Sequence, residues 1–236
     1  MENRGENPRI LAARWDRYVF LRANNDFINA RNGRAFLLTP RDEFVLKRDI
    51  GRAYERDFHD IGWGVTISGP LVVSRMTSTI DVQMGEKVLE IGTGSGNQSA
   101  YLSNLTDKVW TIEIIKPLAE RTRGIYDDLI GRGYTEYKSI NTKTADGYYG
   151  WEEAAPFDKI IVTCGIDHIP PPLLSHTPER NHGDSGRPGG SARHLEGGEA
   201  AGHRRGHQGC TRERVQQGCP VRRVYQARRR GGQRHS

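Results

Sequence analysis

Apolar residues in this chain fall into short runs, and the residues that interrupt them mark where its elements begin and end. Val88-Leu89-Glu90-Ile91 is a compact, almost wholly apolar run that breaks into Gly92-Thr93-Gly94-Ser95-Gly96, the pattern of a buried strand turning sharply into a helix. Asn97–Leu105 then reads as a helix, Val109–Ile114 as a second strand, and Leu118–Ile130 as a second helix with Leu118, Ile125 and Leu129 at helical spacing. A weaker strand is expected near Tyr137–Thr142 and a fourth at Ile160–Thr163, followed by Pro170-Pro171-Pro172-Leu173-Leu174. Strands alternating with helices predict an α/β fold, a Rossmann-like parallel sheet covered on both faces. Ligands of such sheets bind beyond the carboxyl ends of the strands. The glycine loop, Glu113, Asp146 and the segment after Thr163 all fall at that edge.

Upstream the periodicity is weaker. Met1 to about Arg34 is polar, with Trp15, Tyr18 and Leu21 placed to form one helical face. Thr39-Pro40-Arg41-Asp42-Glu43 combines a hydroxyl cap, a proline and two acids, which predicts a short helix through Phe44, Val45 and Leu46. Ile61-Gly62-Trp63-Gly64 reads as a glycine-flexed turn, and Pro70 as the opening of a helix over Leu71–Ile80. Three regions follow: a helical region over 1–63, a ligand-binding α/β domain over 64–174, and a segment of different character over 175–236.

Composition separates that last segment from the rest. Of the net charge of +6 for 236 residues, Ser175–Ser236 supplies 13 Arg against 5 acids, with no Lys, so the body is slightly acidic. Leu195, Val215, Val221, Val224 and Tyr225 are its only bulky apolar side chains, too few to offset the entropy of ordering it, and it is expected to be disordered. An Arg/Gly-rich tail also suits nucleic-acid binding, but apart from Tyr225 it lacks the aromatic residues on which bases stack. Cys164 is the one thiol of the body, so no disulfide framework is expected, and no cluster suggests a metal site. There is no apolar leader and no run of 18 apolar residues, so a cytoplasmic protein without membrane attachment is expected.

The glycine loop is built to hold something. Glycine tolerates positive φ and leaves no side chain where a ligand must approach the backbone. Gly92 and Glu113 lie 21 residues apart, close to the separation that puts a carboxylate at the end of the second strand, within reach of a ribose. A dinucleotide site would usually show a third glycine or alanine where Asn97 stands, and Glu90 would repel a pyrophosphate. The pattern better suits S-adenosylmethionine, with Glu90 accepting from its ammonium group. Bland readings stand beside these: Ser68 could cap a helix, Asp146-Gly147 could be an ordinary turn, His168 a solvated loop residue and Trp151 packing.

The segments Arg34–Val45, Gly64–Pro70, Val88–Gly96 with Glu113, Asp146–Trp151, Ala155–Thr163 and Ile169–Leu174 together resemble the protein-L-isoaspartate O-methyltransferase family of class I S-adenosylmethionine-dependent methyltransferases. Thr66-Ile67-Ser68 is the most diagnostic, and the resemblance runs from about residue 34 to 174. It implies Ser68 as the active-site serine, Glu90, Gly92, Thr93, Gly94, Gly96 and Glu113 as donor contacts, and Asp146 and Gly147 near the adenine. Gly69 departs from the family, which commonly has a larger residue there.

The implied reaction is attack by an isoaspartyl carboxylate of a damaged protein on the sulfonium methyl, giving an ester that a neighbouring amide can displace to form a succinimide. A monomer is expected. A small-molecule methyltransferase and a nucleic-acid-binding protein are the competing readings. A one-base shift in codons for Pro178–Arg187 permits Pro-Asn-Gly-Ile-Met-Val-Ile-Pro-Val-Gly, similar to the family's next strand, and the same shift over Val221–Gln226 permits Phe-Val-Ala-Phe-Thr-Lys. A frameshift near His176 is therefore expected, leaving the sheet truncated, its edge uncovered and activity weak or absent.

Overall fold

The computed structural model describes residues 4–177 and the backbone of 223–225. Its centre is a sheet of β3 (Val88–Ile91), β4 (Val109–Glu113), β5 (Ile140–Thr144), β6 (Lys159–Val162) and β7 (Arg223–Tyr225), in the order β5-β4-β3-β6-β7. The first four run parallel, with Glu90 of β3 opposite both Thr111 and Ile161. A separate antiparallel hairpin, β1 (His59–Gly62) and β2 (Val65–Ile67), precedes them.

Alternation along the strands divides the core in two. Val88, Val109 and Ile161 face a large cluster with Val73, Met76 and Ile80 of α3 (Pro70–Ile80), Ala100 and Tyr101 of α4 (Asn97–Ser103), and Leu118, Tyr126 and Leu129 of α5 (Lys116–Gly131). α1 (Pro8–Ala23) and α2 (Ala30–Leu38) extend this cluster through Leu21, Ala35 and Phe36, so the N-terminal region covers the same core. Leu89, Ile91, Ile112, Ile160 and Val162 face the other way, onto Phe157 and Leu173. Among the described residues that second face carries no long helix. Gly147, Gly150 and Pro156 break the chain between β5 and β6 into 3-10 turns, and α6 (Pro171–Ser175) is only five residues long.

Several local expectations are corrected. Thr39 closes α2 instead of opening a helix: its Oγ1 donates to Ala35 O at 2.8 Å, and Pro40 leads into a four-residue 3-10 turn, Arg41–Phe44. A hydroxyl beside proline fits either end of a helix, and the helical run before it decided the matter. Of the residues placed on one face of α1, Leu21 is buried, whereas Trp15 is exposed and packs its ring on Tyr18. β5 begins at Ile140, because Tyr137 turns inward to stack on Tyr134. The sheet does not end at β6: the backbone of β7 pairs antiparallel with it, Val224 opposite Ile161. The expected disorder and frameshift of 175–236 otherwise lie outside the described residues from 178 on.

Candidate active site

The glycine loop leaves β3 through three left-handed residues, Gly92 (φ +96°), Gly94 (φ +55°) and Gly96 (φ +92°). Two of these positions are also sterically closed. A Cβ on Gly92 would lie 3.0 Å from Cys164 Cβ, and one on Gly96 would lie 2.6 Å from both Thr122 Cγ2 and Tyr126 Oη. At Gly94 it would meet nothing nearer than Gly92 O, at 3.9 Å, so the loop is open on that side. α5 holds the loop from behind: Thr122 Oγ1 donates to Gly94 O at 2.7 Å and Tyr126 OH to Gly96 O at 2.9 Å. Thr163, just past β6, ties down the start of the loop by donating from Oγ1 to Gly92 O at 2.6 Å.

Beneath the loop lies Glu90. Its solvent exposure is 0%, and its Oε2 accepts from Ser99 and, at 2.9 Å, from Thr111. Thr111 Oγ1 is in turn 2.7 Å from Thr93 Oγ1. Burial pushes the Glu90 carboxyl up to about 8, against the pull of the Ser99 and Thr111 hydroxyls and with the help of the nearby Glu113 charge. In this structure Glu90 is fully buried under the loop, where it organises the Ser99 and Thr111 hydroxyls. Thr93 is likewise turned inward, toward Thr111.

The rim is different. Glu113 ends β4 with its Oε2 accepting from Gly94 N at 2.8 Å and its Oε1 from Ile115 N at 3.0 Å. The sequence-predicted acid is thus joined to the sequence-predicted loop, and each oxygen retains a lone pair for a further donor. Gly147 abuts the end of β3, where a Cβ would come 2.5 Å from Ile91 Cγ2. Asp146 is exposed and caps the turn after β5, accepting from Tyr148 N at 2.9 Å.

Ser68 approaches from another direction. It is buried and directly precedes Gly69, the N-cap of α3; Gly69 has no side chain with which to cap the helix, and Ser68 does not take that place. α3 is fixed to α4 by Gln98 Nε2 donating to Thr77 Oγ1 at 2.8 Å, and Pro70 shares one small cavity with Asn97, the residue after the glycine loop. Gly69 has its own explanation: a Cβ there would lie 2.3 Å from Arg56 O.

The structure therefore gathers Gly92, Gly94, Gly96, Glu113 and Gly147 around one strand edge, with Ser68 in the link from β2 to α3. Thr122, Tyr126, Thr163 and Ser99 are the residues that sequence reasoning missed. Their only signal was a hydroxyl at positions of apolar periodicity. The open side at Gly94, with a carboxylate across it, fits a ligand presenting sugar hydroxyls and carrying no phosphate against the loop.

Comparison with known proteins gives a consistent result. The protein family described as Protein-L-isoaspartate(D-aspartate) O-methyltransferase matches residues 20–179. Protein-L-isoaspartate O-methyltransferase 2 of Polaromonas sp. (strain JS666 / ATCC BAA-500) is 46% identical over 135 residues, 57% of this chain and 61% of that protein. The enzyme of the same name from Shewanella sediminis (strain HAW-EB3) is 39% identical over 171 residues, 72% of this chain and 68% of that protein. A solved protein-L-isoaspartate O-methyltransferase superposes with a TM-score of 0.62 at 26% identity, over 70% of this chain and 52% of that one. The chain spans about half to two thirds of the length of the curated relatives it matches.

Proposed function

The chain belongs to the protein-L-isoaspartate(D-aspartate) O-methyltransferase family, and from that premise we propose that it methylates the free carboxylate of isoaspartyl residues in damaged proteins, using S-adenosylmethionine. The observation that supports this reading is the bond from Gly94 N to Glu113 Oε2, which joins a carboxylate at a strand end to the glycine loop.

S-adenosylmethionine, when bound, supplies an electrophilic methyl group. Gly92, Gly94 and Gly96 let the backbone approach it, Glu113 accepts from its ribose, and Asp146 and Gly147 border its adenine. Ser68 orients the substrate carboxylate by hydrogen bonding and is not a nucleophile. No general base is needed, because a carboxylate with a pKa near 4 is ionised at neutral pH. Alignment of the reacting groups, which can contribute up to roughly 7–11 kcal/mol, is what the chain provides.

Among the described residues no helix is long and apolar enough to cross a membrane, and we place the protein in the cytoplasm as a monomer. The Arg-rich composition beyond Ser175 supports the shifted reading frame, which resequencing the gene checks directly.

The test is transfer of labelled methyl groups to an isoaspartyl peptide and to its aspartyl counterpart, using the chain as it stands and a frame-restored version, together with calorimetric titration of S-adenosylhomocysteine. Donor-product binding by both proteins, with label entering only the isoaspartyl peptide and more of it from the restored chain, is the expected result. Binding of a pyridine dinucleotide in place of S-adenosylhomocysteine overturns the reading.

A further inference from the structure

The turn between β1 and β2 is built against the preferences of its middle residue. Gly62 (φ +91°), Trp63 (φ +54°) and Gly64 (φ +72°) are three successive left-handed residues. Glycine takes that geometry freely, whereas a bulky side chain is an outlier there. Nothing in the packing asks for tryptophan: the indole is 46% exposed and has no ring contact or hydrogen bond among the described residues. The turn is nevertheless held in place. Arg121 Nη1, on α5, donates to Ile61 O at 2.9 Å, which fixes the hairpin to the helix that begins just after Glu113. From the turn, β2 leads directly into Ser68.

This combination is an exposed aromatic side chain on a strained, tethered turn, linked at one side to the helix that follows Glu113 and at the other, through β2, to Ser68. Resting on the isoaspartyl reading above, we propose that Trp63 is a specificity-determining residue that receives an apolar side chain of the substrate polypeptide. The five residues from Trp63 to Ser68 span at most about 17 Å of extended chain, so a substrate lying along β2 would bring to the indole a residue about three to five positions from the isoaspartyl group. The nearby Arg121 guanidinium disfavours a cationic side chain at that point and the negative face of the indole an anionic one, which leaves an aliphatic or aromatic one.

The experiment measures binding of fluorescently labelled peptides to the full chain by anisotropy, with S-adenosylhomocysteine at saturation. A short isoaspartyl peptide is compared with longer ones carrying leucine or alanine three to five positions away, on either side. The wild-type protein is expected to bind a leucine peptide about threefold to tenfold more tightly than its alanine counterpart. Trp63→Asn, which keeps a residue tolerant of left-handed backbone, should abolish that preference while leaving the short peptide and S-adenosylhomocysteine affinities unchanged. Trp63→Phe should keep most of it.

An unchanged leucine preference in Trp63→Asn, or an equal loss on short and long peptides, overturns the inference alone. Binding of S-adenosylhomocysteine without discrimination between isoaspartyl and aspartyl peptides overturns the functional reading, and this inference with it.

Discussion

The region beneath the glycine loop and the region at its rim each hold one glutamate, and the two have opposite chemistry. Glu90 sits in the middle of its run, opposite Thr111, with helix α4 packed over it, and among the described residues its carboxyl is met only by hydroxyls. Glu113 is the last residue of the neighbouring strand, where the sheet stops and backbone N–H groups of the loop and of the β4–α5 junction turn toward it. Burial, opposed by the hydroxyls, is what raises the Glu90 carboxyl, whereas Glu113 lies at the sheet edge with both oxygens on backbone N–H groups. Position along the strand thus separates a structural acid from one suited to a ligand.

The largest effect comes from removing the boundary between the two regions. Gly96→Ala combines φ +92° with a Cβ 2.6 Å from both Thr122 and Tyr126, the side chains that hold the loop. Neither can move aside without giving up its bond to the loop. We expect a loss of about 2–4 kcal/mol in urea unfolding and no calorimetric signal with S-adenosylhomocysteine. Gly94→Ala is the contrast: its φ of +55° costs an alanine about 1–2 kcal/mol, but its Cβ meets only Gly92 O at 3.9 Å among the described residues, so it should lose less than Gly96→Ala; equal losses in the two variants would contradict the account of the loop.

Next in size is Glu113→Gln at the rim. The amide keeps one acceptor oxygen and turns an NH2 group toward one of the two backbone N–H groups. Affinity for S-adenosylhomocysteine should fall about tenfold to a hundredfold, with about 1–2 kcal/mol lost from stability. Unchanged affinity would remove Glu113 from the site.

These contrasts also mark what the sequence made legible. The strands β3, β4 and β6 and the glycine loop were readable because continuous apolar runs and glycine-rich breaks are local signals. The role of Glu90 was not, because its surroundings depend on Ser99 arriving from α4 and Thr111 from the adjacent strand, contacts that exist only once the layers stack. Thr122 and Tyr126 were hidden for a similar reason, since a helix face shows which residues point inward but not which carbonyl they meet. Thr39 shows a local ambiguity, since a hydroxyl beside proline suits the start of a helix as well as the end that it closes here.

Beneath the loop, the prediction concerns pH. Glu90 titrates near 8 in the folded chain and near its ordinary value of 4.5 when unfolded. The folded state therefore holds the proton over that interval, and stability falls as pH rises from about 4.5 to 8. Glu90→Gln mimics the protonated form and has nothing to titrate. Its unfolding free energy in urea relative to wild type should rise between pH 5 and pH 8, reaching a difference on the order of 1–3 kcal/mol. Parallel curves for the two proteins would mean that Glu90 is charged in place.

The smallest effect separates a turn from a ligand contact at Asp146. Its Oδ1 caps the turn through Tyr148 N, which leaves Oδ2 as the oxygen that could accept from an adenine amino group. Asparagine keeps a single acceptor oxygen, enough for the cap but not for both tasks. Asp146→Asn should thus stay within about 0.5 kcal/mol of wild-type stability while S-adenosylhomocysteine binds about threefold to tenfold more weakly. Asp146→Ala should lose the cap as well, at about 0.5–1 kcal/mol. Were Asp146→Asn to bind S-adenosylhomocysteine as well as wild type does, Asp146 would be only a turn residue, and the adenine side of the rim would rest on Gly147 and its contact with Ile91.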